Sequence, residues 1–403
     1  MIPVTEAFSI IVEQTQPLGA ERVPLGEALG RVLAESVFAD TDLPPFDRAQ
    51  MDGYAVRSFD LRETPARLRV VGEAAAGSGW RGTLQACEAV RIMTGAPLPA
   101  GADSVQQVEV TRETDDGQVV IIERATEPGQ FYVTRGSEVR AGVRVLEAGE
   151  EINAARMAVL ASFGYAEVPS RRRPRVAVLA TGTELVQVEE RPGADQIRDS
   201  NSYSLAAYAR LAGADVERLP FAGDDAELLR VEIERAAARS DLLVLSGGVS
   251  MGRYDFTKAA LHALGAELFF ERVALRPGKP TVFARLPRGT LVFGLPGNPV
   301  SVSVTFNLFA RTALRVMQGA RDAAPFEETA LLSRPVKGAH ERTSYLPASL
   351  STDGEGRLLA EPLRWGGSSD FVAFARATAL VIVPAGVKMA EAGSVVKVVR
   401  LPV

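Results

Sequence analysis

The run Gly294-Leu295-Pro296-Gly297-Asn298-Pro299-Val300-Ser301 has the residue types of an anion site. It follows an apolar stretch at 290–293 and opens a helical pattern at 302–314. Proline suits a first helical position, where its missing N–H leaves nothing unsatisfied. The free amides of such a first turn, together with the helix dipole, favour a bound anion. A second loop, Ser246-Gly247-Gly248-Val249-Ser250-Met251-Gly252, follows the apolar run 241–245 and precedes a helical pattern at 255–264. Its glycines permit close backbone approach and its serines add hydroxyl donors. A third, Thr181-Gly182-Thr183-Glu184-Leu185, follows the run 175–180 and places Glu184 at an expected helix start. A fourth, Gly223-Asp224-Asp225, separates the run 216–221 from a helical stretch at 226–238. Turn geometry alone explains any one of them. Four polar loops at the carboxyl ends of successive strands point to a ligand, because ligands bind at that edge of a doubly wound sheet. None reads GxGxxG or GxxxxGK[ST], so an ordinary dinucleotide or ATP site is not indicated.

The elements that position these loops are legible in outline. Residues 173–319 alternate strand and helix patterns, the signature of a parallel sheet flanked by helices. Before them, residues 5–16 read as an amphipathic helix and 25–34 as a second, short one. The segment 42–46, with Pro44-Pro45, is an extended connector. Residues 68–133 are strand-like and rich in turns, with strands expected at 68–71, 89–93, 105–110 and 118–123. A connector at 142–163 ends in a helix at 154–163. Beyond Pro325 the pattern returns to β, at 331–336, 346–350, 379–383 and 395–401. The expected fold is an α/β core with a doubly wound, mostly parallel sheet and helices on both faces. An inserted β-domain, a mixed connector and a C-terminal β-domain complete it. The boundaries read as 1–50 with 137–172 for the connector domain, 51–136 for the insertion, 173–322 for the core and 323–403 for the tail.

Composition narrows the chemistry. A net charge of −5 over 403 residues argues against a nucleic-acid surface, and the basic run 171–175 reads as a solvated linker. The lone Cys87 excludes an intrachain disulfide and cysteine-rich metal sites, and is expected to sit as a small apolar residue. His262, on a helical pattern, reads as structural, and with His340 as the only other histidine no Ser-His-Asp triad or HExxH motif is supported. Any metal would be a hard ion on carboxylates and phosphate, Mg²⁺ first. The start lacks a signal-peptide pattern and no apolar run reaches membrane-span length, so a cytoplasmic location is expected.

Six motifs in register give the chain a resemblance. They are 44–56 (Pro-Pro-Phe-Asp-Arg-Ala-Gln-Met-Asp-Gly-Tyr-Ala-Val), 91–97 (Arg-Ile-Met-Thr-Gly-Ala-Pro), 181–185, 246–252, Arg276-Pro277-Gly278-Lys279-Pro280 and 294–301. This order resembles that of the molybdopterin molybdenumtransferases, the MoeA family, which includes the gephyrin E domain. The resemblance implies a molybdopterin-binding α/β core. It also implies insertion of molybdenum from molybdate into adenylylated molybdopterin, with Mg²⁺ assisting and AMP leaving. An elongated homodimer with a shared cleft is implied as well, with the molybdopterin adenylyltransferase a possible partner.

Residue by residue, the resemblance makes Asp52, Glu184, Asp224 and Asp255 the catalytic carboxylates and Mg²⁺ ligands, with Asp52 reaching across the dimer. From the residues alone, Asp52 also fits ordinary turn chemistry, Glu184 an acid favoured at a helix start by the dipole, and Asp224 and Asp255 plain N-terminal caps. Substrate binding falls to Thr94, Thr181, Gly182, Ser246, Gly247, Gly248, Ser250, Pro296, Gly297, Asn298, Pro299 and Ser301. Arg272, Arg276 and Lys279 would bring positive charge to the pyrophosphate. Arg135 and Glu138 mark an oxyanion region. There the family's Asn-X-Arg before Gly-X-Asp reads Phe131-Tyr132-Val133-Thr134-Arg135-Gly136-Ser137-Glu138, with Val133 in place of the arginine and Glu138 in place of the aspartate, and Arg253 stands where an acid is common. Two other readings remain: a non-catalytic scaffold on the same fold, and a molybdopterin-binding or adenylylating protein. A tungstate-preferring paralogue shares the leading chemistry.

Overall fold

The computed structural model describes residues 1–223, 225–248 and 256–402. The chain divides into two compact units. The first comprises Met1–Glu35, Ala148–Met157 and Glu167–Val403; the second comprises Ser36–Glu147 and Ala158–Ala166.

The first unit is built on six strands: β1 (Arg175–Ala180), β2 (Asp215–Arg218), β3 (Leu242–Ser246), β4 (Glu267–Arg272), β5 (Pro280–Arg285) and β6 (Leu291–Leu295). Their order is β2-β1-β3-β6-β5-β4. The first four run parallel, while β5 runs antiparallel to both β6 and β4. The sheet is therefore mostly parallel, as the alternating pattern predicts. Its strands are apolar on both faces because both are covered. Val176 and Val178 point into one core, Ala177 and Leu179 into the other, as the two-residue period of a strand requires. Helices α1 (Asn201–Leu211) and Val4–Gln14, with the long segment that begins at Pro299, cover the first face. Helices α2 (Ala226–Ala237) and α3 (Phe256–Ala263) cover the second.

That long segment departs from the expected single helix. It runs as Pro299–Thr305, a π-helical stretch Phe306–Ala310 and Arg311–Met317. Five C-terminal strands close on themselves in the order Thr343–Thr352, Leu358–Pro362, Glu327–Leu332, Val395–Arg400, Ala379–Val383. Leu275–Arg276 pairs in parallel with the first of them, so the Arg276–Lys279 motif is tied to this sheet. Tyr345, Leu380 and Val399 share a core with Phe283 and Phe309, which seats the C-terminal strands on the α/β sheet.

The second unit holds a six-stranded mixed sheet in the order Ser104–Gln107, Gly53–Val56, Glu88–Ile92, Ala66–Ala74, Val119–Ile122, Thr111–Thr114. Gly53–Val56 is fully buried and has strands on both sides, a position that only tertiary pairing reveals. Gly53 is obligatory there, because a Cβ would overlap the Gln106 carbonyl oxygen.

Further expectations are corrected. Glu184 does not begin a helix: Leu185–Val186 leaves the loop as a short strand and pairs in parallel with Ile197–Arg198, and the helix starts only at Asn201. Residues 25–34 hold one 3-10 turn, Leu25–Glu27, and then isolated bridges from Val32 and Leu33, so strand contacts override their weak helical period. Cys87 is exposed with φ of 58°, a turn position rather than an apolar niche. His262 lies in the last turn of α3 and is exposed.

Candidate functional site

Three of the polar loops meet at the carboxyl edge of β1, β3 and β6. They line a cleft of about 910 Å³ that includes Thr181, Gly182, Glu184, Ser246, Gly247, Gly248, Pro296, Gly297, Asn298 and Pro299. The loops are hydrogen-bonded to one another. Thr181 N–H donates to Ser246 O at 2.8 Å and Gly247 N–H donates to Leu295 O at 3.1 Å. Gly247 has φ of 99°, and a Cβ there would overlap the Thr181 carbonyl, so only glycine lets these two loops touch. The fourth loop reaches the first through Gly182 N–H, which donates to Ala222 O at 3.1 Å. Asp225 caps α2 by accepting from Glu227 N and Leu228 N, both at 2.9 Å.

One side chain missed by the sequence analysis joins two of the loops. Asn201 Nδ2 donates to Ser246 Oγ at 2.9 Å and to Gly297 O at 2.7 Å. Its Oδ1 is buried without a partner among the described residues. The run Asp199-Ser200-Asn201 is a helix-start signal, which marks the beginning of α1 but not its place at the cleft. Asp199 itself is spent on α1: Oδ1 accepts from Ser202 N at 3.0 Å, and Oδ2 accepts from Ser202 Oγ. Glu184 is the exposed acid of the cleft. Its carboxylate folds over Gly182, where a Cβ would lie 2.5 Å from Glu184 Oε2.

Beside the cleft lies a second cavity of about 860 Å³, which shares Pro280, Pro296 and Asn298 with it. Arg276, Lys279 and Ser301 line this cavity, as do Arg334, Lys337, Arg342 and Arg364 from the C-terminal strands and loops. No described acid lines it. Arg334 is neutralised by Glu361, and Arg276 Nη1 donates to Gly338 O at 3.3 Å. Lys337, Arg342 and Arg364 carried no signal in the sequence, since they lie some sixty or more residues beyond Arg276. Arg272 lines neither cavity; its carbonyl accepts from Ile2 N–H at 3.0 Å.

In the second unit, Asp52 and Thr94 form one cluster. Asp52 Oδ1 accepts from Thr94 Oγ1 at 2.6 Å and from Thr94 N at 2.7 Å. The Thr94 hydroxyl first, and then its N–H, hold the Asp52 carboxyl below its ordinary range, so it is a carboxylate at neutral pH. Arg135 donates through Nε to Asp42 Oδ2 at 2.6 Å and through its N–H to Asp47 Oδ1 at 2.8 Å. Glu138 lies 3.6 Å from Arg48. Arg135 and Glu138 thus each stand beside a group of opposite charge. Asp224, Ser250, Arg253 and Asp255 lie outside the described residues. Among the described residues, no three His, Cys, Asp or Glu side chains gather as a metal site. Among the described residues, no helix is long and apolar enough to cross a membrane.

This geometry has relatives. Residues 2–164 match the MoeA N-terminal region (domain I and II), 177–316 a probable molybdopterin binding domain, and 329–401 the MoeA C-terminal region (domain IV). The molybdopterin molybdenumtransferase of a Nostoc species is 36% identical over 98% of this chain and 92% of its own length. That of Bacillus subtilis is 35% identical over 99% and 94%. A crystal structure of the molybdopterin biosynthesis MoeA protein from Pyrococcus horikoshii superposes with a TM-score of 0.83 at 32% identity, covering 99% of each chain. With the cleft at the strand edge, the cation-lined cavity beside it and relatives matched from end to end, the chain belongs to the MoeA family of molybdopterin molybdenumtransferases.

Proposed function

We propose that the protein acts in molybdenum cofactor biosynthesis, transferring molybdenum from molybdate into adenylylated molybdopterin with release of AMP. The observation that carries this reading is the shared wall of Pro280, Pro296 and Asn298 between the cleft and the cationic cavity. A ligand seated on the backbone of the cleft loops thereby has its anionic groups within reach of Lys279 and Arg276. Loop amides and hydroxyls suit phosphate oxygens, and fixed cations suit a diphosphate or a tetrahedral oxyanion.

Glu184 would hold Mg²⁺ together with the phosphate oxygens of the substrate, since Mg²⁺ keeps several waters and needs only one or two carboxylates. Bound there, the ion would neutralise charge on the leaving phosphate. Asp52, ionised through Thr94, supplies the carboxylate that positions the incoming oxyanion or its metal. The same reading makes the protein a cytoplasmic homodimer in which Asp52 serves the cleft of the second copy. Full activity from a sedimenting monomer would overturn that assembly.

The test is to incubate purified protein with adenylylated molybdopterin, Mg²⁺ and either molybdate or tungstate, scoring AMP release and cofactor formation. Asp52→Asn keeps the turn and nearly the shape, but removes the charge. AMP release is expected to fall at least ~100-fold, the scale of losing a positioned catalytic group, with little change in melting temperature. Wild-type AMP release by this variant would leave Asp52 as a turn residue.

A further inference from the structure

The rim of the cleft carries apolar side chains that phosphate recognition does not use. Phe371 is 51% exposed and Ile197 is 57% exposed, and both line the cleft. A single exposed apolar residue needs no explanation. Phe371 differs because the segment that bears it is fastened to the loop that receives the ligand. Asn298 Nδ2 donates to Ser368 Oγ at 3.0 Å, and Val300 N–H donates to Ser368 O at 3.0 Å.

Asp370 then caps the one-turn helix Phe371–Phe374, accepting from Ala373 N at 3.1 Å and from Gly366 N at 2.7 Å. Phe374 anchors that turn in the main core. The chain therefore seats one phenylalanine of this turn inside and leaves the other facing the cleft. Ile197 arrives from a different element, the short parallel ribbon after the first loop, where its N–H donates to Glu184 O at 2.8 Å.

We propose that Phe371 and Ile197 form a subsite for a flat heteroaromatic ring, the adenine or the pterin of the substrate. This rests on the reading of the cleft as the receptor for adenylylated molybdopterin. The loops take the phosphates through backbone groups, and the rim takes a ring through its π-face and edge. Stacking and apolar contact add affinity without needing ionised partners. The rim thereby discriminates a nucleotide or pterin phosphate from inorganic phosphate, which the loops alone do not.

The test titrates wild type, Phe371→Ala, Phe371→Trp and Ile197→Ala with three probes: AMP, 6-carboxypterin and inorganic pyrophosphate. Phe371→Ala is expected to weaken one ring probe by roughly ten-fold, with Ile197→Ala moving the same probe in the same direction. Phe371→Trp retains it, and pyrophosphate binds all four proteins alike. The probe that responds identifies the ring as adenine or pterin. Unchanged affinity of Phe371→Ala and Ile197→Ala for both ring probes, with pyrophosphate still bound, overturns the subsite alone. Failure of wild type to bind pyrophosphate overturns the phosphate reading of the loops and the subsite with it. Equal loss of all three probes in Phe371→Ala and Ile197→Ala marks a structural role and also overturns the proposal.

Discussion

The cleft and the cavity beside it share a wall but are built from opposite materials. The cleft is lined by glycine backbone, hydroxyls, side-chain amides and an apolar rim, and its charged side chains, Glu184, Arg198 and Asp199, come close to cancelling. The cavity is lined by six Arg and Lys side chains with no described acid among them. Backbone donors are fixed in place by the fold and recognise shape, whereas flexible cations recognise charge and are screened by salt. One region is therefore made specific by its scaffold and the other attractive by its charge. Substitutions should separate the two.

The largest effect is expected at the tightest backbone contact of the cleft. Gly247→Ala places a methyl group against the Thr181 carbonyl at a φ of 99°. Backbone strain at such a position costs about 1–3 kcal/mol, and a carbonyl cannot swing aside as a side chain would. Thermal unfolding should show a lowered melting point, and titration should show loss of pyrophosphate binding at every salt concentration. Normal binding would mean that the ligand does not rest on this loop.

On the cationic side, Lys279→Ala and Arg276→Ala should each weaken adenylylated molybdopterin by about 1.5–3 kcal/mol, the scale of a charge-assisted hydrogen bond. The fold should be unaffected, and the salt dependence of binding should flatten. An unchanged salt slope in both variants would make these cations solvent-facing and remove the contrast between the regions.

A smaller effect is expected at Asn201, which braces the cleft without touching the cationic cavity. Asn201→Ala removes the donors to Ser246 Oγ and Gly297 O and should raise KM several-fold, about 1 kcal/mol. Asn201→Asp should be worse than Ala, because it sets a carboxylate oxygen against the Gly297 carbonyl. The reverse order would show that Asn201 does not act through these donors.

The smallest effect concerns the frame common to both regions. Burial raises the Asp241 carboxyl, but the Arg172 hydrogen bond, the Arg175 N–H and both guanidinium charges outweigh it, so its pKa is lowered. A folded pKa below the unfolded value stabilises above the unfolded pKa of about 4, and that contribution is lost as pH falls through the folded value. Asp241→Asn should lower the melting temperature by about 1–3 °C between pH 5 and 7, and the gap to wild type should close below pH ~4. A gap that persists into acid would assign the effect to packing instead of charge.

The sequence by itself determined the local grammar of this protein. Continuous apolar runs marked β1, β3 and β6, and the glycine-rich segments after them marked where backbone would be left open to a ligand. The order of six short motifs carried the family. These signals are local because strand pattern, turn chemistry and helix starts depend on neighbours a few residues away. What lay beyond them was decided by pairing and packing across the chain. Leu275–Arg276 joins a sheet whose other strands begin at Glu327, and Lys337, Arg342 and Arg364 come back to Lys279 through that pairing and the core shared with Tyr345, Leu380 and Val399. Gly53–Val56 became a central strand, and residues 25–34 gave up their helical period to bridges. Asn201 and Phe371 reached the cleft because a ribbon and a capped turn delivered them there. Contacts between residues distant in sequence follow from burying a common core, and no window of residues contains that information before the chain has closed on itself.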